Sequence, residues 1–121
     1  MERAIYERFR RGEVLTAEEA RFLLPSRSEF ADLWRWLERQ STAGTVVEDT
    51  LLRISRSVSR SAGQREIPAS TQLCLEVFEE RGLIDLSEQT GRLRITLHHL
   101  EHKVDLDASH ILQRLRRAAE E

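Results

Sequence analysis

The chain has 121 residues, 40% of them apolar and 33% charged, with two prolines, five glycines and one cysteine. That is enough chain for one domain that buries about two-thirds of its unfolded surface, and the composition excludes collagenous, mucin-like and disordered classes. Nineteen basic against 21 acidic side chains give a net charge of −2, which excludes a uniformly basic nucleic-acid binder; a lone cysteine excludes an internal disulfide, no apolar run reaches the ~20 residues of a bilayer span, and a cytoplasmic location is expected.

Residues 1–11 place Ile5, Tyr6 and Phe9 at helical spacing, with Gly12 as the stop. Thr16 and Glu19 then have capping-box spacing, and Ala20, Phe22, Leu23 and Leu24 give a short helix its apolar surface before Pro25. Ser26 and Glu29 repeat the box. Phe30, Leu33, Trp34 and Leu37 follow at i, i+3, i+4 and i+7, so a helix is expected through Arg39 with Trp34 in the core. Trp36 lies more than about 100° round that helix from the stripe's centre. At the margin of the core it has two roles open to it: packing against the N-terminal helix, or stacking on a base or docking a partner.

Residues 41–45 read as a connection, Val46 and Val47 as a brief extension, and Glu48 and Asp49 as negative charge at the positive end of the next helix. In that helix Val47, Leu51, Ile54 and Val58 make the buried face. Arg53, Arg56 and Arg60 then fall together on the opposite face, flanked by Ser57 and Ser59. A break around Gly63 precedes a helix opened by Ile67 and Pro68, whose Leu73, Cys74, Val77 and Phe78 face inward until Gly82 ends it. The period then changes to two. Leu83, Ile84 and Leu86 form a short strand, residues 87–91 a turn, and Leu93, Ile95 and Leu97 alternate with Arg92, Arg94, Thr96 and His98. After residues 99–105 a last helix is expected, with Asp107 as N-cap and Ile111, Leu112 and Leu115 buried.

Helix, short extension, helix, turn, helix, hairpin is the order of a winged-helix domain, here over residues 26–98. The expected fold is therefore mainly α (α+β): a winged-helix-like unit with a three-helix core and a β-hairpin wing, flanked by a helical extension at 1–24 and a linker with a C-terminal helix at 99–121, all in a single domain. In DNA-reading members of that class the third helix enters the major groove. Here its exposed part carries Glu76, Glu79 and Glu80, which repel phosphate, and only Ser70, Thr71 and Gln72 at its start could read a base. Fold class sets no function by itself; a free-standing winged-helix transcriptional regulator is the second reading.

Charge is unevenly spread. Residues 51–65 carry Arg53, Arg56, Arg60 and Arg65 with no acid, whereas residues 76–88 hold Glu76, Glu79, Glu80, Asp85 and Glu88 against Arg81 alone. Arg53, Arg56, Arg60 and Arg65, with Arg92 and Arg94, form the candidate surface for an anionic partner, either a track for single-stranded DNA or a cup for an acidic peptide. A solvated face with ion pairs to Glu48 or Glu88 is the plainer alternative. His98, His99 and His102, near Asp105, have the residue types of a metal site, but no HExxH pattern or cysteine pair accompanies them, and surface histidines are expected. Cys74 reads as a small buried hydrophobe.

Three blocks carry a resemblance: Leu24-Pro25-Ser26-Arg27-Ser28-Glu29-Phe30, then Leu75-Glu76-Val77-Phe78-Glu79-Glu80-Arg81-Gly82-Leu83-Ile84, then Lys103-Val104-Asp105-Leu106-Asp107-Ala108-Ser109. In that order they resemble the C-terminal domain of bacterial RecJ, the single-stranded-DNA-specific exonuclease of the DHH phosphoesterase family. The resemblance covers residues 24–117, with His110 standing where the family's proline is expected. It implies a non-catalytic accessory domain used in DNA repair and recombination. The partners it implies are the catalytic core of a RecJ-like nuclease, single-stranded DNA and the acidic tail of single-strand-binding protein. The family's two divalent metals, Mn or Mg, activate water in a catalytic core. This sequence has no Asp-His-His triplet and only five aspartates, so no cofactor, no metal site and no DNA cleavage by the chain alone are expected.

Overall fold

The computed structural model describes residues 2–41, 46–62, 67–98 and 104–120, which form six α-helices and one three-stranded antiparallel sheet. Helix α1 (Glu2–Arg10) ends before Gly12, and α2 (Ala17–Leu23) and α3 (Arg27–Gln40) each start at a complete capping box. Thr16 Oγ1 accepts from the Glu19 amide at 3.1 Å while the Glu19 carboxylate accepts from the Thr16 amide at 3.0 Å. Ser26 and Glu29 make the same exchange at 3.2 Å in both directions. Each box satisfies two donors that a helix start otherwise leaves orphaned, with a capping side chain worth about 1 kcal/mol.

Strand β1 (Val46–Asp49) leads into α4 (Leu51–Ala62) and α5 (Pro68–Glu80); β2 (Ile84–Gln89) and β3 (Arg92–Leu97) follow, and α6 (His110–Glu120) comes after a 3-10 turn at Leu106–Ala108. Helix α5 stops in a Schellman arrangement. The Leu83 amide donates to the Phe78 carbonyl at 2.8 Å and the Gly82 amide to that of Glu79 at 3.0 Å, with Gly82 at φ +78°.

The sheet has three strands where the periodicity shows a two-stranded hairpin, because the short extension pairs with β3. Its order is β1-β3-β2, with Arg94 flanked by Glu48 on one side and Ser87 on the other. Glu48 and Asp49 are thus strand residues, and the cap of α4 is Thr50, whose Oγ1 accepts from the Arg53 amide at 3.3 Å. Val47 is buried from the sheet, not from that helix. Strand β2 runs to Gln89, so the turn shrinks to Thr90 and Gly91, both at positive φ. At the last helix Ser109 replaces Asp107 as the cap, its Oγ accepting from the Leu112 amide at 3.2 Å. Asp107 sits instead in the 3-10 turn, 2.8 Å from Arg116.

Two buried clusters share α5. One gathers α3, α4 and the sheet around Phe78, against which the Phe30 and Trp34 rings lie edge-on with centroids 5.8 and 5.5 Å away. The other joins Ile5, Phe9, Leu15 and Leu23 to Ala69, Leu73 and Leu115. Lying between both, α5 buries Ala69, Ser70, Leu73, Cys74, Leu75, Val77 and Phe78, more than one face of a helix can hold. Trp34, half-buried, packs on the first cluster as its spacing suggests, whereas Trp36, expected at the margin, is 7% exposed within that same cluster. Helix α3 packs on α4 as well as on α5, so its buried arc is wider than one stripe and takes in position 36. No helix among the described residues is long and apolar enough to cross a membrane.

Candidate nucleic-acid interface

Helix α4 is fixed in rotation by what it buries. Ile54 is fully buried and Ser55 is 1% exposed. The Ser59 hydroxyl donates to the Ser55 carbonyl at 2.7 Å, and Thr71 on α5 donates to Ser55 Oγ at 3.2 Å, so the contact between the two helices is hydrogen-bonded as well as packed. With that side held, Arg53, Arg56 and Arg60 are all exposed. At about 100° and 1.5 Å per residue they share an arc of about 60° and span about 10 Å of helix axis. The expected stripe exists.

The strand arginines arrive from a second direction. Arg92 and Arg94 project from the outward face of the central strand β3. Arg92 Nη2 donates to the Glu48 carbonyl at 3.3 Å, and its Nε lies 3.8 Å from the Glu48 carboxylate. Arg53 Nε stands 3.7 Å from Asp49. One arginine from α4 and one from the sheet therefore reach adjacent residues at the end of β1, each beside an acid. Both pairs are largely solvated, where an ion pair is worth about 0–1 kcal/mol. Arg65 lies outside the described residues.

Helix α5 has a different role from the one its position in the element order suggests. Ser70 is 4% exposed and its hydroxyl donates to the Leu23 carbonyl at 2.8 Å. Thr71 is engaged with Ser55, and Gln72 Nε2 donates to Glu76 Oε1 at 3.3 Å. Ser70 and Thr71 are thus engaged inside the protein, where α1 and α2 cover the start of the helix that a DNA-reading protein would expose, and Gln72 faces the acidic groove. Trp36, buried at 7%, offers no ring face for stacking and belongs to the cluster around Phe78, not to the one that holds α1.

The other flank of α5 is acidic. Glu76, Glu79, Glu80 and Glu88 line an open groove of about 430 Å³ together with Phe9 and Leu86. Tyr6 donates its phenol proton to Glu76, and Arg10 lies 3.5 Å from the same carboxylate. Burial, then the Glu76 contact, pushes the Tyr6 phenol well above its ordinary range. Glu79 accepts from the Leu86 amide at 3.1 Å. Glu80 accepts from the Ser109 hydroxyl and, at 3.0 Å, from the His110 amide. Burial raises the Glu80 carboxyl, but the hydrogen bonds from Ser109, His110 and Ile111 outweigh it and hold the group below its ordinary value.

His98 Nε2 is 2.9 Å from Asp85 Oδ2, and Asp105 accepts from the Asp107 amide at 2.9 Å; His99 and His102 lie outside the described residues. Among the described residues no three His, Cys, Asp or Glu side chains converge to hold a metal ion. Cys74 is 2% exposed, as its apolar neighbours suggest. Two features escape a reading by periodicity. Thr50 is of capping type and directly precedes Leu51, a signal masked by the acids before it. Tyr6 counts as apolar in a periodicity and gives no sign of its phenol contact. Compared with protein-family models, curated proteins and solved structures, the chain has no match.

Proposed function

We propose that this chain is a non-catalytic accessory domain of a RecJ-like single-strand-specific exonuclease, built on a winged-helix plan, which holds single-stranded DNA along α4. The element order α3-β1-α4-α5-β2-β3 and the sheet order β1-β3-β2 support the plan. The three sequence blocks support the family. The observation that carries the function is the exposed arc of Arg53, Arg56 and Arg60, with Arg92 and Arg94 on the adjoining sheet. A flexible single strand can follow a convex stripe of guanidiniums without the groove geometry that a duplex imposes, and arginine suits phosphate because its fork donates two parallel hydrogen bonds. Duplex readout through α5 has no such support, since Ser70 and Thr71 are engaged inside the protein.

Fluorescence anisotropy with a labelled oligothymidylate tests the reading. Phosphate contacts release counterions, so three of them give log K a slope of about −2 against log salt on a single strand. Replacing Arg53, Arg56 and Arg60 together by Ala should remove that slope and at least tenfold of the affinity at low salt. Binding that is absent, or unmoved by both salt and the triple substitution, overturns the assignment. The chain incubated with Mn²⁺ or Mg²⁺ and the same strand should leave it intact; hydrolysis by clean protein overturns the non-catalytic part.

A further inference from the structure

The basic stripe and the acidic groove lie on opposite flanks of α5. Thr71 turns toward α4, while Gln72, Glu76 and Glu79 turn toward the groove. A helix with its side chains is about 10 Å thick, and α4 itself lies beyond it, so no chain can place its own stripe in its own groove. The two surfaces nevertheless match in both kind and shape. The groove is open and lined by four carboxylates and by half-buried Leu86, with Phe9 and Leu93 almost fully buried beneath it. Three of the carboxylates are held in place, Glu76 by Tyr6, Glu79 by the Leu86 amide and Glu80 by Ser109, and a carboxylate accepts about four hydrogen bonds, so capacity for more remains. Arg10 and Arg114 line the groove too. Arg10 stands beside Glu76, and the Arg114 guanidinium lies 3.8 Å above the Phe9 ring with its fork on the Phe9 carbonyl. Four acids against two arginines leave the groove with a net charge of −2.

The stripe is convex. It adds to Arg53, Arg56 and Arg60 one large apolar side chain, Leu52, which is 45% exposed and stands four residues before Arg56 on the same face. An apolar side chain beside cations thus meets half-buried Leu86 beside anions. We propose that a second copy of this chain docks here head to tail, with the exposed face of α4 of one copy on the acidic groove of the next, Leu52 against Leu86 and Arg56 and Arg60 against Glu79 and Glu88. The contact joins two different surfaces and is therefore heterologous, extending into open series or rings. Resting on the assignment of the stripe to DNA is one corollary, that a single strand and a second copy compete for α4.

Sedimentation velocity on the full chain tests this, at protein concentrations from about 10 to about 500 μM and at about 20 and 500 mM salt, where the Debye length falls from ~20 Å to under 5 Å. The weight-average sedimentation coefficient should rise with concentration beyond that of a dimer at low salt and return to the monomer value at high salt. A monomer throughout the low-salt series overturns the proposal. Arg56→Gln with Arg60→Gln spoils only the head, and Glu79→Gln with Glu88→Gln only the tail; Gln keeps an acceptor for the Leu86 amide, and circular dichroism checks that both proteins fold. Each should be monomeric alone. Mixed in equal amounts they retain one good head and one good tail, so they should form a heterodimer and nothing larger. A mixture that stays monomeric, or variants that associate as the wild type does, overturns the docking mode. Unlabelled oligothymidylate should dissociate the wild-type series; association that the strand leaves unchanged overturns the stripe's role in DNA binding and not the docking.

Discussion

Ser70 Oγ donates a 2.8 Å hydrogen bond to the carbonyl oxygen of Leu23, the last residue of α2. Both residues are buried, and the bond joins the helical extension to the start of α5. Carbonyls at a helix end lack an intrahelical partner, so this hydroxyl satisfies an acceptor that water cannot reach. Ser70→Ala is expected to cost about 1–3 kcal/mol, the penalty of an orphaned buried acceptor, read as a lower urea midpoint with an unchanged slope. Oligonucleotide binding should be unaffected, since α4 is untouched. A variant as stable as the wild type would show that Leu23 finds another donor.

Asp49 restrains the stripe at its first arginine. Its carboxylate stands 3.7 Å from Arg53 Nε and also accepts the Thr50 amide at 2.8 Å. Asp49→Asn keeps an oxygen for Thr50 while removing the negative charge that competes with phosphate. A pair this exposed is worth at most about 1 kcal/mol, so single-strand affinity should rise about two- to fivefold at low salt and converge with the wild type at high salt. Anisotropy titrations at two salt concentrations check it. An affinity that stays level, with Arg53→Ala also silent, would take Arg53 out of the interface.

What the sequence makes legible follows how local each determinant is. Capping boxes at Thr16 and Ser26, the Gly82 stop and the alternation through Leu93, Ile95 and Leu97 depend on neighbours within a few residues, and all appear in the structure. The arginine arc is legible for the same reason, since helical spacing alone sets it. Pairing of Val46–Asp49 with β3 is invisible at that range, because its partner is some fifty residues away and the four-residue strand has no alternation long enough to count. Trp36 and Ser70 are misread for a further reason. Periodicity assumes one buried face, whereas α3 and α5 are covered from two sides, and the second cover comes from elements whose docking no local pattern announces.

Stability should fall in acid with a part traceable to Glu80. Its carboxyl is held below the ordinary value of 4.5 in the folded chain by Ser109, His110 and Ile111, against the opposing effect of burial. A group with a depressed folded value contributes stability that is present above about pH 4.5 and is lost as pH falls through the lower folded value. Glu19 and Asp107 are depressed as well, by Thr16 and Arg8 and by Arg116 and Arg27 respectively, and act in the same direction. Urea unfolding at pH 7 and about pH 3 should show the loss. Glu80→Gln should lower the midpoint at pH 7, approach the wild type at the acid end and so flatten the profile; a parallel profile would assign the acid sensitivity to other carboxylates.

The β2–β3 hairpin carries a correctable strain. Its two-residue turn places Thr90 at φ +50° and Gly91 at +78°, the signs of a type I′ turn, whose twist matches that of the strands it joins. Glycine adopts such angles without a steric cost, but a β-branched residue there is an outlier, since both of its Cβ substituents crowd the backbone. The turn is retained because the register of the two strands is fixed by pairs on the core face, half-buried Leu86 opposite buried Ile95 and Ile84 opposite Leu97, both buried. Asparagine tolerates the left-handed region and is the preferred residue before glycine in this turn. Thr90→Asn is therefore expected to stabilise the protein by about 1 kcal/mol, equivalent to a rise of about 4 °C in Tm. Thr90→Val keeps the branching and should give no gain. Calorimetry on both variants separates relief of backbone strain from a change in turn polarity, because valine is apolar and equally branched, and equal gains from the two would show that the left-handed turn is not the source.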